Sequence, residues 1–294
     1  MLPGVNHVLA VDIGGTKMAA ALVDEDGVIR RQAQVPTVGT DAEDLFAHLA
    51  TLIDGILGPD DRVVGCGVGC GGPMAAGGVT VSPINIPAWD AFALRDRLSD
   101  RFGLPTWVDN DAKALALGEG WRGAARGCRN YLAMVVSTGV GGGIVLDGRL
   151  LDGAQSNAGH VGHVLVVEEG HRCGCGAYGC LEAEASGTAI ARITGRPAIE
   201  ADAATRARTG RLVGRAVASV ANLLDVELVC VAGSVALGFG TDFFAAAQAE
   251  LDRSCRLDFS TGTRIVPGGL GADGPLIGAA AVGWRALGID VGVS

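Results

Sequence analysis

Between Asn157 and Glu182 the chain reads NAGHVGHVLVVEEGHRCGCGAYGCLE, gathering three of its five histidines and three of its eight cysteines. His163, Cys173, Cys175 and Cys180 offer one imidazole and three thiolates, a common donor set for a closed, tetrahedral structural Zn2+. Gly174, Gly176 and Gly179 would let the backbone wrap tightly around one ion. His171 is a rival ligand, and a disulfide between two of the cysteines is the alternative chemistry. With four protein ligands such a zinc keeps no open position, so it would hold a loop rather than catalyse.

Three other stretches carry chemistry. DIGGTK (Asp12–Lys17) and STGVGGG (Ser137–Gly143) are glycine turns between strands, where missing Cβ atoms let backbone N–H groups converge on an anion. A bare hairpin turn would explain either alone; two of them suggest a gripped phosphate. Neither has the Walker A spacing or the dinucleotide fingerprint, since strands follow the glycines. VDNDAKALALGE (Val108–Glu119) sets Asp109, Asn110 and Asp111 at a strand end leading into a helix. One of the three can cap that helix, and a carboxylate there can also take a proton from a substrate hydroxyl, as phosphoryl transfer requires.

The elements that must position these groups follow from periodicity. Val8–Ile13 is an apolar strand, followed by a second strand and an Asp26-Gly27 turn into a third. YLAMVVSTGVGGGIVLDGRLL repeats strand, glycine turn, strand and Asp-Gly turn about 125 residues later, which implies two domains of related build. Helical spacing marks 42–57, 91–102, 111–121, 205–224 and about 275–287, with strands at 63–68, 106–108 and 228–231. The turn AGSVALG (Ala232–Gly238) follows the last of these strands and could let a ligand approach the backbone. The expected division is a smaller N-terminal α/β domain over 1–110, completed by the C-terminal helix 283–294, and a larger α/β domain over 111–282 with the zinc loop.

Bulk properties narrow the class. Of 294 residues, 49% are hydrophobic and 19% charged, which suits a packed α/β globule. The net charge of −9, without a Lys/Arg cluster, gives no footprint for nucleic acid. Val63–Trp89 has no charge, but seven glycines and three prolines exclude a spanning helix. No basic-then-apolar leader precedes a small-residue cleavage site. A cytoplasmic protein with mostly buried, reduced thiols is expected.

Taken together, DIGGTK, the VDNDA segment, STGVGGG and the spacing GH…CxCGxxGCLE resemble the ROK family of sugar kinases from Asp12 to about Ala281. The resemblance implies an actin-like (ribonuclease H-like) two-domain α/β fold, with ATP and sugar in an interdomain cleft and Mg2+ on the phosphates. It implies Asp111 as general base, with Asn110 and the SPINIPAW residue Asn85 on sugar hydroxyls. Glu182 and the loop around His163 also fall on the sugar, and the family pattern favours His163 over His171 as the zinc ligand. Asp12, Gly14, Gly15, Thr16, Lys17, Thr138, Gly139 and Gly141 fall on the phosphates, and Gly233 and Ser234 on the adenosine side. Family members are commonly homodimers. CGGP (Cys70–Pro73) departs from the family's APGP wording.

His160 is the other departure. Glucose-directed members read GEIGH or GELGH, whereas this chain reads AGHVGH, similar to the family's bacterial N-acetylmannosamine kinases. Imidazole for carboxylate changes charge and acceptor count, with more room for a bulkier group at C2 of the sugar. The expectation is therefore ATP-dependent phosphorylation of a hexose 6-hydroxyl, with N-acetylmannosamine first and glucose second. Polyphosphate would engage similar loops. A sugar-sensing repressor is the competing class; only eleven residues precede Asp12, so its DNA-binding domain is not expected here.

Overall fold

The computed structural model describes residues 5–294. The elements run β1 (Asn6–Ile13), β2 (Lys17–Asp24), β3 (Ile29–Pro36), α1 (Ala42–Ile56), β4 (Arg62–Cys70), α2 (Leu94–Phe102), β5 (Thr106–Asn110) and α3 (Asp111–Arg122). They continue with β6 (Tyr131–Val136), β7 (Val140–Leu146), β8 (Arg149–Leu150), α4 (Leu181–Ala185), α5 (Gly187–Thr194), α6 (Ala203–Leu224), β9 (Leu228–Ala232), α7 (Ser234–Ser254), β10 (Arg264–Pro267) and α8 (Gly274–Ala286).

Two five-stranded sheets result, ordered β3-β2-β1-β4-β5 and β10-β9-β6-β7-β8. In the first, β1, β2 and β3 form an antiparallel meander while β4 and β5 join parallel. The second repeats this: β6, β7 and β8 are antiparallel, and β9 and β10 join parallel. The duplication read from the two glycine turns is therefore a duplication of sheet topology.

Contacts group the chain into two units. The first runs up to Arg122 and takes in Asp152–Ala158 and Ala272–Ser294; the second holds Gly123–Leu151 and Gly159–Gly271. This differs from the expected boundary at 110/111. Packing is the reason: α3 lies on α8, where Gly278 meets the backbone of Ala114, so α3 groups with the first unit.

In the first unit α1 begins at Asp41, whose side chain accepts from Asp44 N, and buries Leu45, Phe46, Leu49, Leu52 and Ile53. These join Leu9, Val11, Ile13, Val68, Trp89 and Phe92 in one core. Alternation sends Val8 to the other face, against Gly283 of α8. In the second unit Leu132, Met134 and Val136 pack with Val213, Val217, Val231 and Phe243. AGSVALG was expected as a turn, but its residues from Ser234 onward are the first turn of α7. No helix among the described residues is long and apolar enough to cross a membrane.

Candidate functional site

In the first unit, strand register puts Asp12 beside Gly69 and Gly69 beside Asp109 on the adjacent parallel strands β1, β4 and β5. Ile13, Cys70 and Asn110 form the next row. Asp12 and the Asp109–Asp111 loop thus meet at the C-terminal strand ends, the edge where open α/β sheets bind ligands. Gly69 lies beside both residues: a Cβ there would be 3.6 Å from Asp111 Cα and 3.8 Å from Asp12 Oδ1. Burial, and then the charge of Asp111, push the Asp12 carboxyl up to about 7, with Lys17 pulling the other way. Two acids packed this closely favour a cation or a shared proton.

Asn110 takes the capping role that the sequence left open among three residues. Its Oδ1 accepts from Ala112 N at 3.1 Å and Lys113 N at 3.4 Å, opening α3. Asp111 Oδ1 also accepts from Ala112 N at 2.8 Å, which fixes the carboxylate at the helix start. Gly15 and Asn85 meet directly, since a Cβ on Gly15 would overlap the Asn85 side chain. The DIGGTK turn and the SPINIPAW loop therefore pack on each other. Within that turn Gly14 N donates to Lys17 O and Thr37 Oγ1 to Gly14 O, while Gly15, Thr16 and Lys17 are exposed.

In the second unit the turn Ser137–Gly139 is held from below by α5. Gly187 N donates to Ser137 O at 2.7 Å and Thr188 Oγ1 to Thr138 O at 3.0 Å. Ser137 Oγ lies 2.9 Å from Ser234 Oγ, so this turn meets the start of α7 beside Gly233. Glu182 Oε2 accepts from Val140 N at 3.0 Å, directly against Gly139. Gly141 is placed inside β7, paired with Val135. Its neighbour Gly142 makes room for Val161 Cγ2, so part of the glycine run exists to seat the His160–His163 loop.

The cysteine cluster assembles as its donor chemistry requires. His163, Cys173, Cys175 and Cys180 bring ligand atoms within 4.8 Å of one another. Cys175 Sγ is 3.7 Å from Cys180 Sγ, and Cys173 Sγ is 3.6 Å from His163 Nδ1. Tetrahedral zinc with Zn–S of about 2.3 Å and Zn–N of about 2.0–2.1 Å spaces its ligands about 3.6–3.8 Å apart, so the residues fit the ion. All eight cysteines are free thiols rather than disulfides. His171, the rival ligand, is engaged elsewhere: its Nδ1 lies 2.9 Å from Glu184 Oε1, and Glu184 also pairs with Arg208. His160 is exposed, its ring stacked on His163 with centroids 6.0 Å apart.

Residues 8–285 match the ROK family. The chain belongs to the ROK family. It is 38% identical to an N-acetylmannosamine kinase of Citrobacter koseri, over 79% of this chain and 84% of that one. It is 36% identical to a glucokinase of Halalkalibacterium halodurans, over 79% and 74%. Among solved structures, a ROK glucokinase of Streptomyces griseus in complex with glucose and AMPPNP superposes with a TM-score of 0.82 at 28% identity, covering 95% and 99% of the two chains. The fold is thus the actin-like two-domain fold of ROK sugar kinases. Sequence reasoning missed the Lys113 pairing with Asp109 and Asp152. A lone lysine among the apolar and small residues of AKALALG was the available signal.

Proposed function

We propose that this ROK protein is a hexose kinase that transfers the γ-phosphoryl group of ATP to the 6-hydroxyl of N-acetylmannosamine. The observation that carries the reading is the buried Asp12 carboxyl beside the half-buried Asp111 at the strand ends of the first unit. Asp111, fixed at the start of α3, is the general base that orients the sugar hydroxyl and takes its proton. Asn110 and Asn85 hold neighbouring hydroxyls. Asp12 and Lys17, with the Gly14–Thr16 turn, serve the phosphate side. Mg2+, when bound on the phosphates, supplies neutralisation of the charge that develops in transfer, and the Asp12–Asp111 pair fits a divalent cation beside it.

Thr138, Gly139, Gly233 and Ser234 serve the nucleotide, and Glu182, His160 and His163 serve the sugar. Glu182 accepts hydroxyl hydrogen bonds in charge-assisted form. His163, Cys173, Cys175 and Cys180 would hold the zinc, and a zinc held through His163 Nδ1 would leave Nε2–H free to donate to a sugar oxygen. The acylated sugar is favoured over glucose because His160 stands where glucose-directed members place a carboxylate. The 38% identity to a kinase of that sugar supports the same choice. A cytoplasmic setting suits the reduced thiols that such a zinc needs.

A coupled ADP-release assay across N-acetylmannosamine, glucose, N-acetylglucosamine and mannose tests the reading. The acylated mannosamine is expected to give the highest kcat/KM; strong preference for glucose would overturn the role given to His160. Asp111→Asn is expected to lower kcat by roughly 10²- to 10⁴-fold with the fold intact. Near-full turnover in that variant would remove Asp111 as the base.

A further inference from the structure

Lys113 lies two residues past Asp111, and its side chain is 2% exposed. Its Nζ is 2.9 Å from Asp109 Oδ1, 2.6 Å from Asp152 Oδ1 and 3.5 Å from Ser156 O. An ammonium has three donors and no acceptor, so these three oxygens account for all of them. Asp109 Oδ1 also accepts from Asn110 N at 2.8 Å, so the same carboxylate braces the backbone that carries Asn110 and Asp111. Asp152 opens the short segment Asp152–Ala158, which groups with the first unit although the residues on both sides of it group with the second. The segment closes on itself, with Ala158 N donating to Asp152 O at 3.0 Å and Gly153 packed on Ala158. After Ala158 the chain passes through Gly159 straight into His160.

We propose that Lys113 is a positioning residue for sugar recognition, clamping the β5–α3 junction of Asn110 and Asp111 to the segment that leads into His160. This rests on the kinase reading above. A buried ammonium is stable only while its acceptors stay in place, because an unpaired buried charge costs far more than a lost surface pair. The clamp therefore makes the position of one loop depend on the other. It touches no reacting atom, so its effect falls on how the sugar is held, and the nucleotide side is left alone.

Asp152→Asn is the first variant, since the Asp152 side chain is 53% exposed and its loss leaves the core intact. Lys113→Met is the second, and Asp152→Glu the conservative rescue. Asp152→Asn is expected to raise the KM for sugar roughly ten- to a hundred-fold, the scale of an ångström-level misplacement, with the KM for ATP unchanged and Asp152→Glu recovering most of it. Hydrogen exchange should show the Ala158 amide losing protection in Asp152→Asn, a readout that needs no activity. If Lys113→Met fails to fold, the Asp152 pair alone decides. An unchanged sugar KM with unchanged Ala158 protection, or equal rises in both KM values, would overturn the proposal. A wild-type protein that phosphorylates none of the sugars would instead sink the kinase reading, while the exchange experiment still tests the clamp.

Discussion

Asp12 shows how far surroundings can move a single residue. Burial at the end of β1, with Asp111 close by, raises its ionisation from an ordinary 3.8 to about 7. For an acid raised in the fold, the native state prefers the proton. Asp12 costs nothing below about pH 4 and lowers stability progressively as pH rises from about 4 to about 7. Asp12→Asn should therefore match the wild type in Tm near pH 4 and exceed it increasingly up to pH 8, measured without nucleotide or magnesium. A Tm difference that does not change with pH would mean Asp12 ionises normally. The residue types at this edge were legible in DIGGTK and VDND. Their closeness was not, because it depends on β4 lying between β1 and β5.

At the scale of elements, the loop from Gly159 to His163 is seated by β7 and, with zinc bound, would be stapled by the cysteine cluster. Gly142 is decisive for the first: a Cβ there would lie 2.8 Å from Val161 Cγ2 and 3.1 Å from Leu132 Cδ1. Gly142→Ala is expected to destabilise the protein by about 1–3 kcal/mol, the usual cost of overpacking, and to weaken sugar binding; chemical denaturation and sugar KM check both. The staple makes a separate prediction. Purified protein should carry about one zinc per chain, and Cys180→Ser should lower that occupancy and the Tm together, read by metal analysis and calorimetry. Zinc-free wild type of unchanged Tm would refute it. The sequence singled out the four residues that come together in this cluster. It read STGVGGG as a phosphate turn throughout, whereas the structure ends that turn at Gly139 and gives Gly142 to packing.

Across the whole molecule, each unit has its own sheet and core, yet neither is a continuous piece of chain. The first unit needs α8, which returns from the C-terminus to cover β1 and β4. A Cβ on Gly67 would overlap Ala279 O and come within 2.6 Å of Gly283 N. Residues 1–122 alone would leave that apolar face in water. They are expected to show no cooperative thermal transition by circular dichroism, and residues 272–294 joined through a flexible linker should restore one. A cooperative transition in 1–122 alone would show that α8 is dispensable. The expected boundary at 110 separates α3 from α8, on which it packs, because helix periodicity reports which face is apolar, never which partner covers it.

The sequence by itself determined the donor types at the Cys/His cluster, the acids at a strand end, the paired glycine turns and the duplicated strand pattern. Each is written in residue identity and short-range spacing. The tertiary structure brings His163, the histidine that the resemblance favoured, to the cysteines and shows why His171 does not join them: it is taken by Glu184 more than ten positions on. It also decided that Asn110 caps α3, that α7 begins at Ser234, and that Lys113 joins Asp109 to Asp152. Hydrogen bonds and ion pairs act over a few ångströms whatever the sequence separation. Such partners exist only once the strands and helices have brought them together.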